Sequence, residues 1–515
     1  MDCNTWNLRR LAWLTLPALL VGLLLRVALM WHLPYGTLHP DSSDLLCTPD
    51  QLLQAHSFGV FSKKTFLVPV LYTLACAVPK VPALVVIPLA QHLMGLGAVV
   101  ITALLCRLWF RHWQWLVPPV TLLLAADPAL IWFEHALMTE AVFVFCTALL
   151  ALAGTLYALR PEKRTFVFLC AALVLEAGAR PEGKLLFAFG FLLIFLVAWP
   201  QWRKALRPLA ILLLVAVPTH FATRTSQAGL LLYVSVLRLA PESSRVAPGV
   251  EAYTAELRDA LVQDWKAHPS FPKASKRQML FKALQDYQRD HRQRCDKRDT
   301  ETLCKRLAFE TCLRAMPQIP GLILHKWKDT AWVTPADDFL AIAPGSAREE
   351  RAVANSQRYL WRNAHVFTGR PFESEEEVGR FFHAIDPTER AAWFTGFTKH
   401  WSHLFAWWRT PDTVYPDGTK ERGLPVYMFA AFTGFALLAW QEPRRFHVAW
   451  WMAIVGLYLV ILLTANVRPR FRLFLEPYWV LGCAALADAA VQGIRRWKHS
   501  AVGNHHEPAI PNLPR

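Results

Sequence analysis

Long apolar runs alternate with short polar segments along this chain. Apolar stretches of about 18 to 20 residues recur, and a helix of that length crosses a bilayer core of roughly 30 Å. The predicted spans lie at 11–31, 84–106, 116–133, 138–159, 165–179, 185–199, 209–222, 425–440, 448–465 and 476–494. The first is too long for a signal peptide and lacks a small-residue cleavage site, which indicates a retained anchor. The pattern predicts an all-α multi-pass membrane protein with about ten transmembrane helices.

The spacing of the runs divides the chain into regions. Residues 1–222 form an N-terminal membrane module of seven predicted spans, with a first external loop at 32–83. The last three spans lie within 425–495 and are followed by a tail at 496–515. Between the two modules, the hydrophilic stretch 223–424 has charged helical runs separated by proline and glycine. At roughly 200 residues it can bury its own core, so we expect a mainly helical external domain.

Charge gives the predicted spans an orientation. The chain has 55 Lys and Arg against 39 Asp and Glu, a net charge of +16, yet only 18% of its residues are charged. The basic residues cluster in every second loop, at Arg107 and Arg111; Arg160, Lys163 and Arg164; Arg203, Lys204 and Arg207; Arg444 and Arg445; and Arg495, Arg496 and Lys498. By the positive-inside rule, these loops and both termini are cytoplasmic.

This composition excludes several classes of protein. A chain that is 54% hydrophobic and 18% charged is neither disordered nor a purely soluble enzyme, since soluble domains carry roughly 25% charged residues. It is not a secreted disulfide scaffold either. Basic residues confined to short loops between spans do not indicate a nucleic-acid partner.

Ten cysteines are present, and five of them lie in apolar runs. If Cys304 and Cys312 share one helix, they are about 12 Å apart, too far for a disulfide. A hairpin at 296–302 could instead join Cys295 to Cys304 in an oxidising outer compartment. The sequence leaves this pairing open.

An acidic segment follows the first span directly. It reads His39-Pro40-Asp41-Ser42-Ser43-Asp44. Its two carboxylates, three residues apart, can face one way on a helical turn and act as a general base and its support. The same residue types are favoured as N-caps of helices, and a helix is expected at 45–58. An ordinary structural turn would therefore explain this segment as well.

A second polar group lies at the external end of the third and fourth predicted spans. Asp127-Pro128 is typical of a helix stop, and Glu134-His135 follows it. Glu140 is harder to explain as structure, because an apolar run begins immediately after it. A carboxylate at the edge of a span must face a cavity, a cation or water, which makes it a functional candidate.

Basic residues gather on the same predicted side. Lys64 precedes the segment where the chain returns to the membrane, and Arg180 lies in a turn between two spans. The late segment 466–477 contains Arg468, Arg470 and Arg472. These arginines could attract anionic lipid headgroups, but arginine also presents a planar fork of donors to phosphate. Carboxylates and arginines at one face suit a reaction with a phosphate leaving group on a lipid carrier.

Taken in order, these segments resemble the GT-C superfamily of membrane glycosyltransferases. The resemblance is to the bacterial branch related to protein O-mannosyltransferases and the lipid A aminoarabinose transferase. Asp41-Ser42-Ser43-Asp44 is similar to the family's acidic motif in the first external loop, and Met138-Thr139-Glu140-Ala141-Val142-Phe143 to its second. The resemblance covers 1–222 and 425–495 and does not extend to the external domain.

Three further segments carry the resemblance. The run 61–72 is similar to the family's lysine-proline-aromatic segment, with Thr65 where a proline is more usual. Ala179-Arg180-Pro181-Glu182-Gly183 resembles its Arg-Pro turn. The segment 468–477 resembles the late arginine-rich motif, with Phe471 and Phe474 replacing tyrosine and proline.

The resemblance implies transfer of a sugar, with inversion, from a polyprenyl-phosphate donor to an acceptor hydroxyl. It makes Asp41 the base and Asp44 its supporter or substitute, and it gives Glu140 the role of positioning the acceptor, the donor sugar or a metal. The implied phosphate-binding residues are Lys64, Arg180, Arg468, Arg470 and Arg472. Some family members use a divalent cation, for which His39 is a candidate ligand.

The resemblance further implies a bacterial inner-membrane enzyme whose active site faces the periplasm, in contact with membrane lipids. Its acceptor could be a glycan, a lipid or a protein. External tryptophans such as Trp393 could stack on sugars or form an interfacial belt.

Three other functions stay open. One is a ligase for a pyrophosphate-linked oligosaccharide, and another is a non-catalytic partner in a cell-envelope complex. The third is a flippase or transporter of a lipid-linked sugar, which would have mid-membrane charges and internal repeats. The charges of this chain gather at one face instead.

Overall fold

The computed structural model describes most of the N-terminal module and parts of the rest. The described residues are 3–37, 45, 66–110, 112–199, 201–222, 364–384, 412–414, 420–422, 426–441 and 474–503, with shorter pieces inside 302–323, 393–400 and 447–457. Several predicted residues lie outside this set: His39, Asp41, Asp44, Lys64, Cys295, Arg468, Arg470 and Arg472. The roles given to them, and the Cys295–Cys304 disulfide, stay predictions.

The described N-terminal module is built from helices. They are α1 (Cys3–His32), α2 (Leu67–Cys76), α3 (Ala83–Trp109), α4 (Trp113–Ala125), α5 (Pro128–His135), α6 (Glu140–Leu159), α7 (Lys163–Ala179), α8 (Leu186–Ala198) and α9 (Leu206–Ala222). Short 3₁₀ turns, Pro181–Leu185 and Trp202–Ala205, precede α8 and α9.

Four helical segments of the described part are long and apolar enough to cross a membrane. They are Leu8–His32, Ala83–Trp109, Glu140–Leu159 and Pro181–Ala198. Helices α4 and α5 together pass as a fifth span, bent by 47°. The chain is therefore a helical membrane protein, and its described part supports four or five of the ten predicted spans.

The third predicted span, 116–133, is broken rather than continuous. Helix α4 ends at Ala125, and the Asp127 Oδ1 accepts hydrogen bonds from the backbone N–H groups of Ala129 (2.9 Å) and Leu130 (3.3 Å) at the start of α5. Pro128 suits the first helical position because an N–H there would lack an intrahelical partner. Asp127-Pro128 thus marks the end of one helix and also caps the next.

The helices of this module pack around one apolar core. Helix α3 packs against α4 and α6, α6 against α7, and α1 against α4. Buried threonines sit within these contacts: Thr102, Thr121, Thr147 and Thr155 each donate a hydrogen bond to the carbonyl oxygen four residues earlier. This local bond satisfies the hydroxyl of a side chain that is buried between helices.

The segment between the two membrane modules is helical in its described parts except for one hairpin. Helices α10 (Ala364–Thr368) and α11 (Glu375–Ala384) precede strands β1 (Asp412–Val414) and β2 (Lys420–Arg422). The two strands pair antiparallel, with Thr413 opposite Glu421. This small hairpin departs from the predicted all-α fold.

Aromatic residues join this segment to the N-terminal module. Ring centroids lie 5.3 Å apart for Tyr35 and Phe381, 5.9 Å for His32 and Trp393, and 6.2 Å for Trp132 and Phe394. Trp393, a candidate for sugar stacking, contacts protein rings on this face.

The C-terminal helices α12 (Val426–Gln441) and α13 (Glu476–Gly503) approach each other closely. A Cβ placed on Gly482 would lie 2.5 Å from the Ala431 carbonyl oxygen and 2.8 Å from its Cα, and one on Gly434 would overlap the Gly482 carbonyl oxygen. Helices in lipid use small residues in this way, because backbone contact replaces the hydrophobic effect between them.

We expect Gly482→Ala to push α12 and α13 apart and to lower the free energy of unfolding by about 1–3 kcal/mol. Gly493 on the same helix is a matched control, since nothing lies within 4 Å of the position of its Cβ. Gly493→Ala should be neutral or stabilise by up to about 1 kcal/mol. Thermal unfolding of both variants in lipid nanodiscs tests this, and equal melting temperatures for Gly482→Ala and wild type would contradict it.

Candidate functional site

Glu140 and Arg180, both predicted site residues, form an ion pair. Glu140 begins α6 and is 3% exposed, and Arg180 directly follows α7. The Arg180 Nη1 lies 3.3 Å from the Glu140 Oε1, and the Arg180 Nε lies 3.4 Å from the Glu182 Oε2. The guanidinium carbon is also 5.4 Å from the centre of the Phe143 ring, a cation–π contact. The structure therefore holds a cation and a carboxylate together at the start of α6.

The chain just before Glu140 is fixed by buried hydrogen bonds. The Met138 carbonyl oxygen accepts from the Tyr72 hydroxyl at 3.1 Å and from the Gln91 side-chain amide at 2.9 Å. Tyr72 and Gln91 are each 2% exposed. Glu140 lies in the first turn of α6, where the helix dipole favours a negative charge. Its position is therefore set by neighbouring helices rather than by a mobile loop.

A small cavity lies beside Glu140. Its water-accessible volume is about 20 Å³, which is room for one or two water molecules. Its walls come from helices α3, α4, α5, α6 and α13 and are formed by Gly95, Ala98, Val99, Leu124, Leu130, Phe133, Glu134, Glu140, Ala141, Val144 and Pro477. The carboxylate-bearing residues Glu134 and Glu140 thus line the same space.

Thr37, the last described residue before the acidic motif, lies beside the turn that precedes Glu140. The Thr37 N–H donates to the His135 carbonyl oxygen at 3.2 Å, and the Leu137 N–H donates to the Thr37 carbonyl oxygen at 3.0 Å. On the far side of the motif, Leu45 is 1% exposed and belongs to the core. Asp41 is four residues after Thr37, at most about 14 Å along the chain. Both described flanks of the motif are therefore anchored in the N-terminal module.

The described flank of Lys64 packs near Arg180. Phe66, two residues after Lys64, lies against Gly178, where an added Cβ would be 2.8 Å from the end of its ring. Gly178 is two residues before Arg180 in the sequence. Glycine at this position leaves room for the returning chain to lie against α7.

The described flank of the late arginine segment reaches Glu140 as well. The Phe474 ring lies 5.1 Å from the ring of Phe143, which is on α6. Pro477 lines the cavity with Glu140. Arg472 precedes Phe474 by two residues. The acidic motif, the lysine segment and the late arginine segment thus all have described flanks near the Glu140–Arg180 pair.

A buried charged network near this pair was missed by the sequence analysis. Arg26 of α1 is 2% exposed, and its Nε and Nη2 donate to the Oε2 and Oε1 of Glu134, each at 2.7 Å. Its Nη1 donates to the carbonyl oxygens of Gly22 (3.0 Å) and Ala125 (2.8 Å). Gly95 makes room for the Glu134 carboxylate, which a Cβ there would overlap.

Histidines continue this network. The His92 Nδ1 lies 2.9 Å from the Glu134 Oε2, and the His92 Nε2 lies 3.4 Å from the His135 Nδ1. The His135 Nε2 lies 3.1 Å from the Tyr35 carbonyl oxygen. The sequence contains one sign of this buried network. Arg26 is an arginine inside an apolar run, and a charge in such a run is costly unless it is paired. Hydrophobic periodicity could not identify its partner, which lies 108 residues away.

No group of three or more His, Cys, Asp or Glu side chains suited to a metal ion occurs among the described residues. The acidic motif and His39 are not part of that set. The described residues therefore contain no ligand set that fits the divalent cation allowed by the sequence resemblance.

No protein-family model matches the chain, and no curated protein matches its sequence. Among solved structures it is similar to ArnT from Cupriavidus metallidurans, whose crystal structure contains undecaprenyl phosphate. The two share 12% sequence identity over 99% of this chain and 82% of that chain, with a TM-score of 0.33. A similarity this distant transfers no residue role and no activity.

Proposed function

We propose that this chain is an inverting glycosyltransferase that moves a sugar from a polyprenyl-phosphate donor to an acceptor hydroxyl. The observation that carries the proposal is the arrangement around Glu140 and Arg180. The acidic motif, the lysine segment and the late arginine segment are far apart in sequence, yet their described flanks lie beside this one ion pair. Their order along the chain is what the sequence resemblance implies for such an enzyme.

The proposed reaction needs a base, and Asp41 is our candidate. Asp41 removes the proton from the acceptor hydroxyl as its oxygen attacks the anomeric carbon of the donor. The bond between that carbon and the phosphate oxygen breaks, and the electron pair leaves with polyprenyl phosphate. Attack from the side opposite the phosphate inverts the anomeric carbon. Asp44 supports Asp41 or replaces it.

The leaving phosphate needs positive charge. We propose that Arg180 supplies part of this charge, and its pairing with Glu140 and Glu182 supports the proposal because it holds the guanidinium in place. We propose that Lys64, Arg468, Arg470 and Arg472 complete the phosphate-binding set. Arginine offers bidentate donors to phosphate oxygens, and cations fixed in advance stabilise the charge that develops as the bond breaks.

Glu140 has a positioning role in this scheme. Its carboxylate holds the Arg180 guanidinium on one side and lines the small cavity on the other. We propose that it orients Arg180 and, through it, the donor phosphate, and that the acceptor or sugar meets the cavity side.

The proposal extends to location and partners. We place the chain in a bacterial inner membrane with the site facing the periplasm, because the basic loops then lie in the cytoplasm. The donor lies among the helices with its head group at the site, and the acceptor is a glycan, lipid or protein hydroxyl.

Glu140→Gln tests the positioning role. We expect it to lower sugar transfer about 100-fold, because a small misplacement of a positioning cation costs that much. Glu182→Gln is the matched control: both glutamates pair with Arg180, but the Glu182 side chain is 25% exposed against 3% for Glu140. The Arg180–Glu182 pair is more accessible to water and should contribute about 1 kcal/mol, so Glu182→Gln should change the rate by no more than about fivefold.

The measurement is release of polyprenyl phosphate from radiolabelled polyprenyl-phosphate sugars by purified protein in nanodiscs. Equal losses in the two variants would show that Glu140 has no special role at the site. Full activity in Glu140→Gln would remove it from the proposed mechanism.

A further inference from the structure

The chain segment before the acidic motif pairs with the segment before α6. Thr37 and Ala136 form a parallel β-bridge. The Thr37 N–H donates to the His135 carbonyl oxygen at 3.2 Å, and the Leu137 N–H donates to the Thr37 carbonyl oxygen at 3.0 Å. Because the bridge is parallel, both chains leave it in the same direction.

Each chain reaches a candidate carboxylate after the same number of residues. Asp41 is four residues after Thr37, and Glu140 is four residues after Ala136. Four residues of extended chain span at most about 14 Å. The bridge therefore limits how far the proposed base can lie from Glu140, and a shift of one chain against the other at the bridge changes that distance.

His135 fastens the bridge with its side chain as well as its backbone. The residue is fully buried, and its Nε2 lies 3.1 Å from the Tyr35 carbonyl oxygen. Since a carbonyl oxygen only accepts, the Nε2 carries the hydrogen of this bond. The backbone carbonyl of the same residue accepts from the Thr37 N–H. His135 thus holds two positions of the segment 35–37.

The imidazole of His135 is itself held in place by buried side chains. Its ring is stacked on that of His92, with centroids 5.6 Å apart and 28° between the planes, and its centroid lies 6.3 Å from that of Trp132. The His92 Nδ1 donates to the Glu134 Oε2 at 2.9 Å, since this carboxylate oxygen only accepts. Packing therefore sets the direction in which the His135 Nε2 points.

Gly36 leaves the segment 35–37 no room to move toward the bridge. A Cβ on Gly36 would overlap the Leu137 side chain and would lie 3.2 Å from the His135 carbonyl oxygen. Its N–H donates to the Leu84 carbonyl oxygen of α3 at 2.8 Å. The segment is therefore held between α3 on one side and the bridge on the other.

We propose that His135 is a positioning residue of the transferase. Its bond to Tyr35 holds the segment 35–37 in register at the bridge, and the bridge sets the position of the acidic motif relative to Glu140. His135 does not touch the reacting atoms in this scheme. The effect on sugar transfer rests on the proposed function, whereas the anchoring of the segment is independent of it.

Two amides of different reach test the bond to Tyr35. The side-chain nitrogen of glutamine is as many bonds from Cα as the histidine Nε2, so His135→Gln can still donate to the Tyr35 carbonyl oxygen. The nitrogen of asparagine corresponds to the histidine Nδ1 instead and does not reach that oxygen. His135→Asn therefore removes the hydrogen bond but keeps a polar amide at the same buried position.

Hydrogen–deuterium exchange of the full chain in nanodiscs measures the anchoring. The reporting amides are those of Gly36, Thr37 and Leu137, whose hydrogen bonds hold the two chains. In His135→Asn we expect their protection to fall about tenfold, because one buried hydrogen bond is lost and the Tyr35 carbonyl loses its donor. In His135→Gln their protection should match wild type.

Single-turnover release of polyprenyl phosphate and equilibrium binding of the labelled donor measure the effect on transfer. His135→Asn should slow release about 10–100-fold, because a small misplacement of a reacting group costs up to that much. Donor affinity should match wild type, since the proposed phosphate contacts come from other segments. His135→Gln should keep the wild-type rate. A slower rate with unchanged donor affinity separates positioning from a general loss of folded protein.

Thr155→Val is the matched control. Thr155 is 4% exposed, and its hydroxyl accepts from the Trp109 Nε1 at 3.0 Å. The variant also loses a buried hydrogen bond, but near the other end of α6, about 22 Å from Glu140 at 1.5 Å per residue. Its melting temperature should fall, while protection at the bridge and the release rate per folded protein should match wild type.

Three results would overturn the proposal. They are unchanged protection in His135→Asn, equal losses of protection in His135→Asn and His135→Gln, and reduced protection in His135→Asn with an unchanged release rate. A fall of protection at the bridge in Thr155→Val equal to that in His135→Asn would overturn it as well, because the loss would then be global.

Gly36→Ala tests the bridge from the other chain, and it decides the question if His135→Asn does not fold. Its Cβ displaces the bridge without changing His135, so protection of the Leu137 amide and the release rate should both fall. Wild-type values for both would overturn the proposal. If wild type transfers no sugar from any donor, the proposed function fails, and the exchange measurement alone decides whether His135 anchors the segment 35–37.

Discussion

Asp41→Asn is expected to slow sugar transfer by about 10²–10⁴-fold, the contribution of a general base. Asparagine has nearly the same shape but cannot accept the proton of the acceptor hydroxyl. Binding of the donor should change little, because the proposed phosphate contacts come from other segments. Single-turnover release of polyprenyl phosphate and equilibrium binding of the labelled donor, measured in nanodiscs, separate the two effects.

Asp44→Asn is the comparison that identifies the base. It stands in the same motif, three residues later, and as a supporting residue it should cost much less than Asp41→Asn. A larger loss in Asp44→Asn would exchange the two roles. Full activity in both single variants and in the double variant would remove the acidic motif from the mechanism.

Arg26→Gln is expected to destabilise the protein by about 3–5 kcal/mol, the cost of leaving one partner of a buried ion pair alone. The Arg26 and Glu134 side chains are 2% and 5% exposed, and all four described hydrogen bonds of the guanidinium are lost together. Arg9→Gln makes the same substitution at an exposed position on the same helix. It should change stability by at most about 0.5 kcal/mol.

The free energy of unfolding in mixed micelles measures this difference. Combining Arg26→Gln with Glu134→Gln removes the uncompensated charge, so the double variant should recover part of the loss. Similar stabilities for Arg26→Gln and Arg9→Gln would contradict the claim that breaking the buried Arg26–Glu134 pair is strongly destabilising.

Hydropathy predicted the helical, membrane-spanning character of the chain, because apolar length alone decides it. Hydropathy alone could not predict the break in the third span, since apolar residues continue on both sides of Asp127, but Asp127-Pro128 was correctly predicted as a helix stop. The two roles of Asp127-Pro128, ending α4 and capping α5, depend on local hydrogen bonds rather than on hydrophobicity.

The sequence indicated Glu140 and Arg180 as candidates, but it could not predict that they are in contact. Glu140 and Arg180 were each identified because an ionisable residue at the edge of an apolar run is costly. Their pairing across 40 residues depends on how α6 and α7 pack, which no local pattern encodes. The run that contains Arg26 has the pattern of a plain anchor, and only the folded bundle brings Glu134 to Arg26 and His92 to Glu134.

The most direct test of the central claim is release of polyprenyl phosphate from a panel of radiolabelled polyprenyl-phosphate sugars by the purified protein in nanodiscs. We expect wild type to release polyprenyl phosphate from one donor and both Asp41→Asn and Glu140→Gln to lose that release. Binding and release by no member of the panel, or release that persists in both variants, would contradict the proposed transferase.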